Sequence, residues 1–267
     1  MSDKSHPGTA LVTGASAGIG ATYADRLARR GYDLLLVARD AARLQERAAL
    51  LSKQYAIRAE FLAADLSDTA ELRKVEKRLR EDASITLLVN NAGIGPKGKA
   101  LADDADYLDA MIAINVVAAN RLAIAAAQAF AARGAGAIVN IASAVAIVPE
   151  AFNGTYSASK AFVLALTQSL AAELSDKGVR IQAVLPGFTR TEIFDRVGGS
   201  FDNLDPERVM EVTDLVDAAL VGLDRGELVT IPSLSDTGLF DALNAARGAL
   251  GGQLSLKKPA ERFGLAA

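Results

Sequence analysis

The chain has 267 residues, 51% of them hydrophobic and 5% aromatic, so aliphatic side chains and alanine must fill its core, and that length suits one α/β core. Its net charge is −3 and its 29 basic residues are scattered without interleaved aromatics, which argues against a nucleic-acid partner. There is no Cys and one His, His6 in a polar leader, which sets aside thiol nucleophiles, disulfides, Cys/His zinc sites and Ser-His-Asp triads; no metal site is expected, and proton transfer falls to Tyr, Lys or a carboxylate.

Met1 to Pro7 lacks the apolar centre of a signal peptide, and no run of about 18 uninterrupted apolar residues follows. A soluble, cytoplasmic protein without a membrane partner is expected. Past the leader, apolar runs recur without strict alternation, as in strands covered on both faces: TALVT (from Thr9), DLLLVA (from Asp33), AEFLAA (from Ala59), ITLLVN (from Ile85), AIVNIA, VRIQAVL and ELVTI. Helix-length segments such as Gly18 to Arg30 and Ala41 to Tyr55 separate them, which predicts a doubly wound, Rossmann-type parallel α/β sheet of about seven strands. No linker or repeat divides the chain, so one domain is expected over 1–267, with its core at about 8–232. Residues 187–210 read as a substrate loop with short helices, Asp205-Pro206-Glu207 as the start of a helix, and 233–267 as a helical tail packed on the sheet or on another subunit.

The first run leads into TGASAGIG and then a helical pattern. Gly14 permits a tight turn, Gly18 lets the backbone approach a pyrophosphate, and Gly20 lets the helix sit close on the sheet, while free N–H groups at the helix start face the phosphates. A glycine-rich turn with no ligand is the plainer alternative. The stretch TYSASK places Tyr156 and Lys160 one helical turn apart with only small, uncharged residues between them. A Tyr hydroxyl is a poor base at its ordinary pKa near 10, and a neighbouring ammonium favours the phenolate; with the positive charge of an oxidised nicotinamide ring added, the pair is expected to act as an acid/base with a lowered Tyr pKa.

With these motifs the chain resembles the short-chain dehydrogenase/reductase family, from about Thr9 to Thr191: TGASAGIG, NNAG (Asn90 to Gly93), the Asn of IAINVV, NIAS, YSASK and PGFTRT. The resemblance implies a catalytic set of Asn115, Ser143, Tyr156 and Lys160. In it Tyr156 exchanges the proton, Ser143 bonds the substrate oxygen, Lys160 also bonds the nicotinamide ribose, and Asn115 holds a water that links Lys160 to solvent. It implies a dinucleotide held by Gly14, Ser16, Gly18, Ile19, Gly20, Asp65, Leu66, Asn91, Pro186, Gly187, Thr189 and Thr191, together with Tyr156 and Lys160. At the end of the second run, Ala38 stands where members using NAD tend to carry Asp, and Arg39 follows, which points to NADP(H) over NAD(H). Arg39 as a solvated charge, Asp40 turned inward, Asp65 as a helix cap, Tyr156 as a packing residue, Ser143 as a turn cap and Asn115 as a polar kink are the plainer alternatives.

The expected function is an NADP(H)-dependent oxidoreductase interconverting a ketone or aldehyde and its alcohol. A dinucleotide-sensing or scaffold protein of the same fold without turnover is the rival. Ile94, Ala144, Phe152, Phe188, Phe194 and Phe201 are expected to rim an apolar cleft, with an acidic substrate favoured instead if Arg190 or Arg196 points inward. The segments Tyr107 to Gly134 and Ala158 to Gly178 are apolar beyond one stripe, and the resemblance points to a homodimer or homotetramer built on them. GELVTIPS leads into a 35-residue tail where the family's acyl-carrier-protein reductases usually end soon after a closing DGG, which weakens a role in fatty-acid synthesis.

Overall fold

A computed structural model describes residues 6–191 and 204–265. The chain divides into two compact units, residues 1–233 and 234–267. In the first, six strands of five or six residues follow the apolar runs: β1 Thr9–Thr13, β2 Asp33–Ala38, β3 Ala59–Ala63, β4 Ile85–Asn90, β5 Gly136–Ile141 and β6 Val179–Val184. The seventh sheet strand, β9 (Val229–Thr230), holds two residues of the longer run expected there. All pairings are parallel, in the order β3-β2-β1-β4-β5-β6-β9, so the order reverses between β1 and β4. In an open parallel sheet the crevice beyond the strand ends at such a reversal is where a ligand enters.

Alternate residues of each central strand serve opposite layers. Ala10 and Val12 pack with Tyr23 and Leu27 of α1 (Gly18–Arg29) and with Leu215 and Val216 of α7 (Val212–Arg225), whereas Leu11 packs with Leu72, Val75 and Leu79 of α3 (Thr69–Glu81). On that second face also lies a long apolar segment made of α4 (Ala105–Ile112), a π-helical turn (Ala113–Ala118) and α5 (Ala119–Arg133). An 18-residue window of this 29-residue segment has a mean hydropathy of 1.7, which would let it cross a membrane by length and composition alone. It is a core helix: Met111, Ala118, Leu122, Ala126 and Phe130 are almost wholly buried. The helices α2 (Ala41–Tyr55) and α6 (Gly154–Glu173) complete the two layers.

The expectation of a helix opened by Asp205-Pro206-Glu207 is corrected. Asp205 does cap Glu207, but only one 3-10 turn forms over Pro206–Arg208. The Met210 N–H then donates to the Phe188 carbonyl (2.9 Å), which draws the chain into a short pairing of β7 (Thr189–Arg190) with β8 (Met210–Glu211) and delays α7 to Val212. Phe194, Arg196 and Phe201 lie outside the described residues. The 234–267 unit contains α8 (Gly238–Leu250) and two 3-10 turns.

Candidate active site

Two loops meet where the sheet order reverses, Gly14–Ala17 after β1 and Asn91–Gly95 after β4. Together with residues 38–43 and 64–67 they form a groove of about 760 Å³ that holds Gly14, Ser16, Gly18, Ile19, Arg39, Asp65, Leu66, Asn91 and Thr191 of the expected cofactor residues. Gly14 has φ +65°, and a Cβ there would lie 2.7 Å from the Asn91 amide nitrogen. Gly20 sits under the turn: a Cβ on it would come within 2.4 Å of the Gly14 carbonyl oxygen, so only glycine lets α1 begin so close to β1.

The start of α1 is shaped for an anion. Whereas Asp40, Asp68, Asp104 and Asn153 cap α2, α3, α4 and α6 with their side chains, α1 begins at Ala17 without a side-chain cap and has no acidic residue in its first turn. Its first N–H groups and the positive end of its dipole therefore serve the groove. These residues fit a dinucleotide diphosphate.

At the other end of the groove Arg39 is 64% exposed and stands 4.0 Å from Asp65. Asp65 is no helix cap. Its carboxylate accepts from the Ser67 N–H and hydroxyl, and these bonds hold its pKa below the usual carboxylate range, with Arg39 adding to the effect. Asp40 does not turn inward: it is occupied as the cap of α2, accepting from the Arg43 N–H. Asn91 lines the groove, but its amide nitrogen donates to the Thr13 carbonyl (2.9 Å).

The groove leads to the expected catalytic residues through Gly93, where an added Cβ would lie 3.0 Å from Asn115 Oδ1 and 3.6 Å from Lys160 Nζ. Lys160 is buried on α6 and donates to the Ile141 carbonyl at 3.0 Å, with its ammonium 5.7 Å from the centre of the Tyr156 ring. Burial pushes the Lys160 pKa down to about 8. Burial likewise pushes Tyr156 up to about 12, opposed by its hydrogen bond with Ser143. In the protein alone, desolvation of the phenolate outweighs the help from its neighbours; the lowering expected from the sequence counts a second cation, the oxidised nicotinamide, beside Lys160.

Ser143 ends the segment after β5, and the Pro186 carbonyl accepts from the Ala144 N–H (2.8 Å) beside it, so Pro186 braces this corner instead of lining the groove. Gly187 and Thr189 also stay off the groove wall, joined by a bond from the Thr189 hydroxyl to the Gly187 carbonyl. Asn115 lies within the π-helical turn, and its amide pairs with both main-chain groups of Ile94 (2.9 and 3.0 Å) while donating to Ser159 Oγ (3.2 Å). The Ser159 hydroxyl in turn donates to the Tyr156 carbonyl. The amide is thus a bolt between the loop after β4 and the helix that carries Tyr156 and Lys160.

Of the expected rim, Phe152 meets the Tyr156 ring edge-on at 5.7 Å, Ile94 lines the groove, and Ala144 and Phe188 are half-buried. Arg190 is ion-paired with Glu211 at 2.8 Å across β7 and β8. Asn153 is a structural contributor that sequence reading passed over. Buried, it accepts from the Tyr156 N–H and donates to the Gly98 carbonyl and Asp103, tying the loop after β4 to the start of α6; its place three residues before Tyr156 was a capping signal available in the sequence. Among the described residues no cluster suited to a metal ion occurs.

The model of the short chain dehydrogenase family matches residues 8–199. The chain belongs to the short-chain dehydrogenase/reductase family, a class of oxidoreductases acting on the CH–OH/C=O couple. Among particular relatives, it is 50% identical to a short-chain dehydrogenase from Sphingobium yanoikuyae solved in complex with NADPH, with 96% of this chain and 99% of that one covered and a TM-score of 0.92. It is 46% identical to the bulky-bulky ketone specific alcohol dehydrogenase from Comamonas testosteroni, covering 96% and 98% of the two chains with a TM-score of 0.88. Very-long-chain 3-oxoacyl-CoA reductase-A from Danio rerio is 34% identical over 203 residues, 74% of this chain and 63% of the reductase, so the match spans less than two thirds of that relative.

Proposed function

We propose that the protein is a soluble NADP(H)-dependent oxidoreductase that interconverts bulky apolar ketones or aldehydes and their alcohols. The observation that carries this reading is the placing of the site: an uncapped helix start opens into a groove whose Gly93 abuts Asn115 and Lys160, and the Lys160 ammonium stands 5.7 Å from the centre of the Tyr156 ring. Nicotinamide dinucleotide supplies the hydride when bound. Ser143, whose hydroxyl lowers the Tyr156 pKa against its burial, is placed to share the substrate oxygen with it, and Tyr156 donates the proton to the developing alkoxide. A Tyr pKa near 12 suits a proton donor in the reducing direction. Deprotonation for alcohol oxidation needs added positive charge, which the oxidised nicotinamide and Lys160 together provide. Lys160, seated on the Ile141 carbonyl, would also hold the ribose of a bound cofactor, and Asn115 keeps the adjoining loop in register.

Preference for NADP(H) is supported by Ala38 in place of an acid, by Asp40 being occupied at α2, and by the exposed Arg39 guanidinium. A charge-assisted contact of about 1.5–3 kcal/mol gives roughly ten- to hundredfold preference over NAD(H). An apolar substrate is supported by Phe152 and Ile94 beside the site, by the pairing of Arg190 with Glu211, and by likeness to the bulky-bulky ketone specific enzyme. Assembly as a homodimer or homotetramer is supported by Ile112 and Val117 on the 105–133 helix and Phe162 on α6, all at least 37% exposed. A carbonyl panel followed by NADPH and NADH absorbance tests the reading. Turnover of bulky aryl ketones with NADPH, reduced at least about tenfold in Arg39→Ala, is expected; activity confined to keto acids, or equal kcat/KM with both cofactors, would contradict it.

A further inference from the structure

Lys97 is a cation in the groove wall with no carboxylate partner among the described residues. It lies on the loop after β4 and lines the same groove as Gly14 and Arg39, yet among the described residues it forms no ion pair. Its ammonium sits 4.1 Å from the centre of the Tyr107 ring, and the Tyr107 hydroxyl donates to the Gly95 carbonyl at 2.6 Å. Tyr107 and Ala110 on α4 and Ile114 on the π-helical turn form the wall behind it. Lys97, though exposed, is therefore presented on an aromatic shelf at the groove wall.

The groove indicates which anion it meets. Arg39 and Arg43 mark one end, after β2, where a 2′-phosphate belongs. Lys97 comes instead from the loop whose Gly93 abuts Lys160, on the nicotinamide half, and the anionic group between the two halves of a dinucleotide is its diphosphate. We infer that Lys97, held by Tyr107, is a second jaw of the cofactor groove that closes on the dinucleotide's diphosphate from the side opposite the glycine turn. This rests on the cofactor reading above. It assigns a binding role to a residue outside the glycine turn and outside the Arg39 end.

Two fragments separate the ends of the groove. Adenosine 5′-diphosphoribose carries the diphosphate without a 2′-phosphate, and adenosine 2′-monophosphate carries the reverse. Calorimetric titration of the full-length protein is expected to show that Lys97→Met weakens the diphosphoribose about tenfold, the low end for a charge-assisted contact because the ammonium is exposed, and leaves the monophosphate within about twofold. Lys97→Arg is expected to recover most of the loss, and Arg39→Ala to show the opposite pattern. An unchanged diphosphoribose affinity in Lys97→Met, or equal losses for both fragments, overturns the inference while leaving the cofactor reading standing. Failure of the wild-type protein to bind NADPH or either fragment overturns both.

Discussion

Lys160 carries a stability cost that can be measured apart from any reaction. Its native pKa of about 8 lies below the ordinary 10.5 because the ammonium is buried, with 6% of the residue exposed. Between those values the unfolded chain binds more protons than the native one, so stability rises with pH through this window and is lost again as pH falls through about 8. The full gap corresponds to about 3 kcal/mol, of which about 2 kcal/mol falls between roughly pH 7.5 and pH 9.5. Tyr156, raised from 10.0 to about 12, acts in the opposite sense above pH 10, so the upper measurement stays below that. Lys160→Met keeps the length of the side chain and removes the charge, but it strips the Ile141 carbonyl of its 3.0 Å donor, at about 1–2 kcal/mol. Near pH 7.5 the variant should therefore be more stable than wild type by about 1–2 kcal/mol, and near pH 9.5 it should be level or slightly worse. Urea unfolding of both proteins at the two pH values reads the difference directly. A stability gap between them that does not change with pH would refute the argument, since Lys160 would then not be paying a desolvation penalty.

Two further substitutions test how the site is held. Gly20→Ala puts a Cβ within 2.4 Å of the Gly14 carbonyl and 2.5 Å of the Asn91 amide, so it is expected to cost about 1–3 kcal/mol in urea unfolding and to weaken NADPH binding by displacing the glycine turn; unchanged values for both would contradict the packing described. Asn115→Ala leaves the Ile94 N–H and carbonyl without their partners, which is expected to cost about 2–4 kcal/mol and to lower kcat together with stability. A loss below about 0.5 kcal/mol would show that the amide is not the bolt proposed.

Most of the scaffold was legible because it depends on local pattern. The continuous apolar runs announced strands covered on both faces, which holds for β1, β2, β4 and β5 but not for the edge strand β3, where Phe61 is 40% exposed; glycines at 14, 18 and 20 announced a turn into a helix, which the positive φ of Gly14 and the close approach of Gly20 explain. What stayed hidden depends on contacts distant in sequence. The π-helical turn around Asn115 exists in company with Ile94, 21 residues away, and no periodicity marks it. The false helix start at Asp205 had correct capping chemistry, but the Met210 N–H found Phe188 instead. The seventh strand was read too long because ELVTI is β-prone throughout, while only Val229 and Thr230 pair with β6. The desolvation that raises the Tyr156 pKa in the protein alone was likewise hidden, because spacing to Lys160 is visible in sequence and burial is not. Lys97, in a polar stretch between glycines, gives no signal until Tyr107 is placed beneath it.

Turnover depends most directly on the Tyr156 hydroxyl. Tyr156→Phe keeps the ring and its edge-on contact with Phe152 and removes one oxygen, so NADPH affinity by fluorescence titration should stay within about tenfold of wild type. In single-turnover reduction of a bulky ketone followed at the NADPH absorbance, the rate should fall by about 10² to 10⁴, as for loss of a general acid. Retention of more than about a tenth of the wild-type single-turnover rate, with cofactor still bound, would contradict the assignment of Tyr156 as the proton donor.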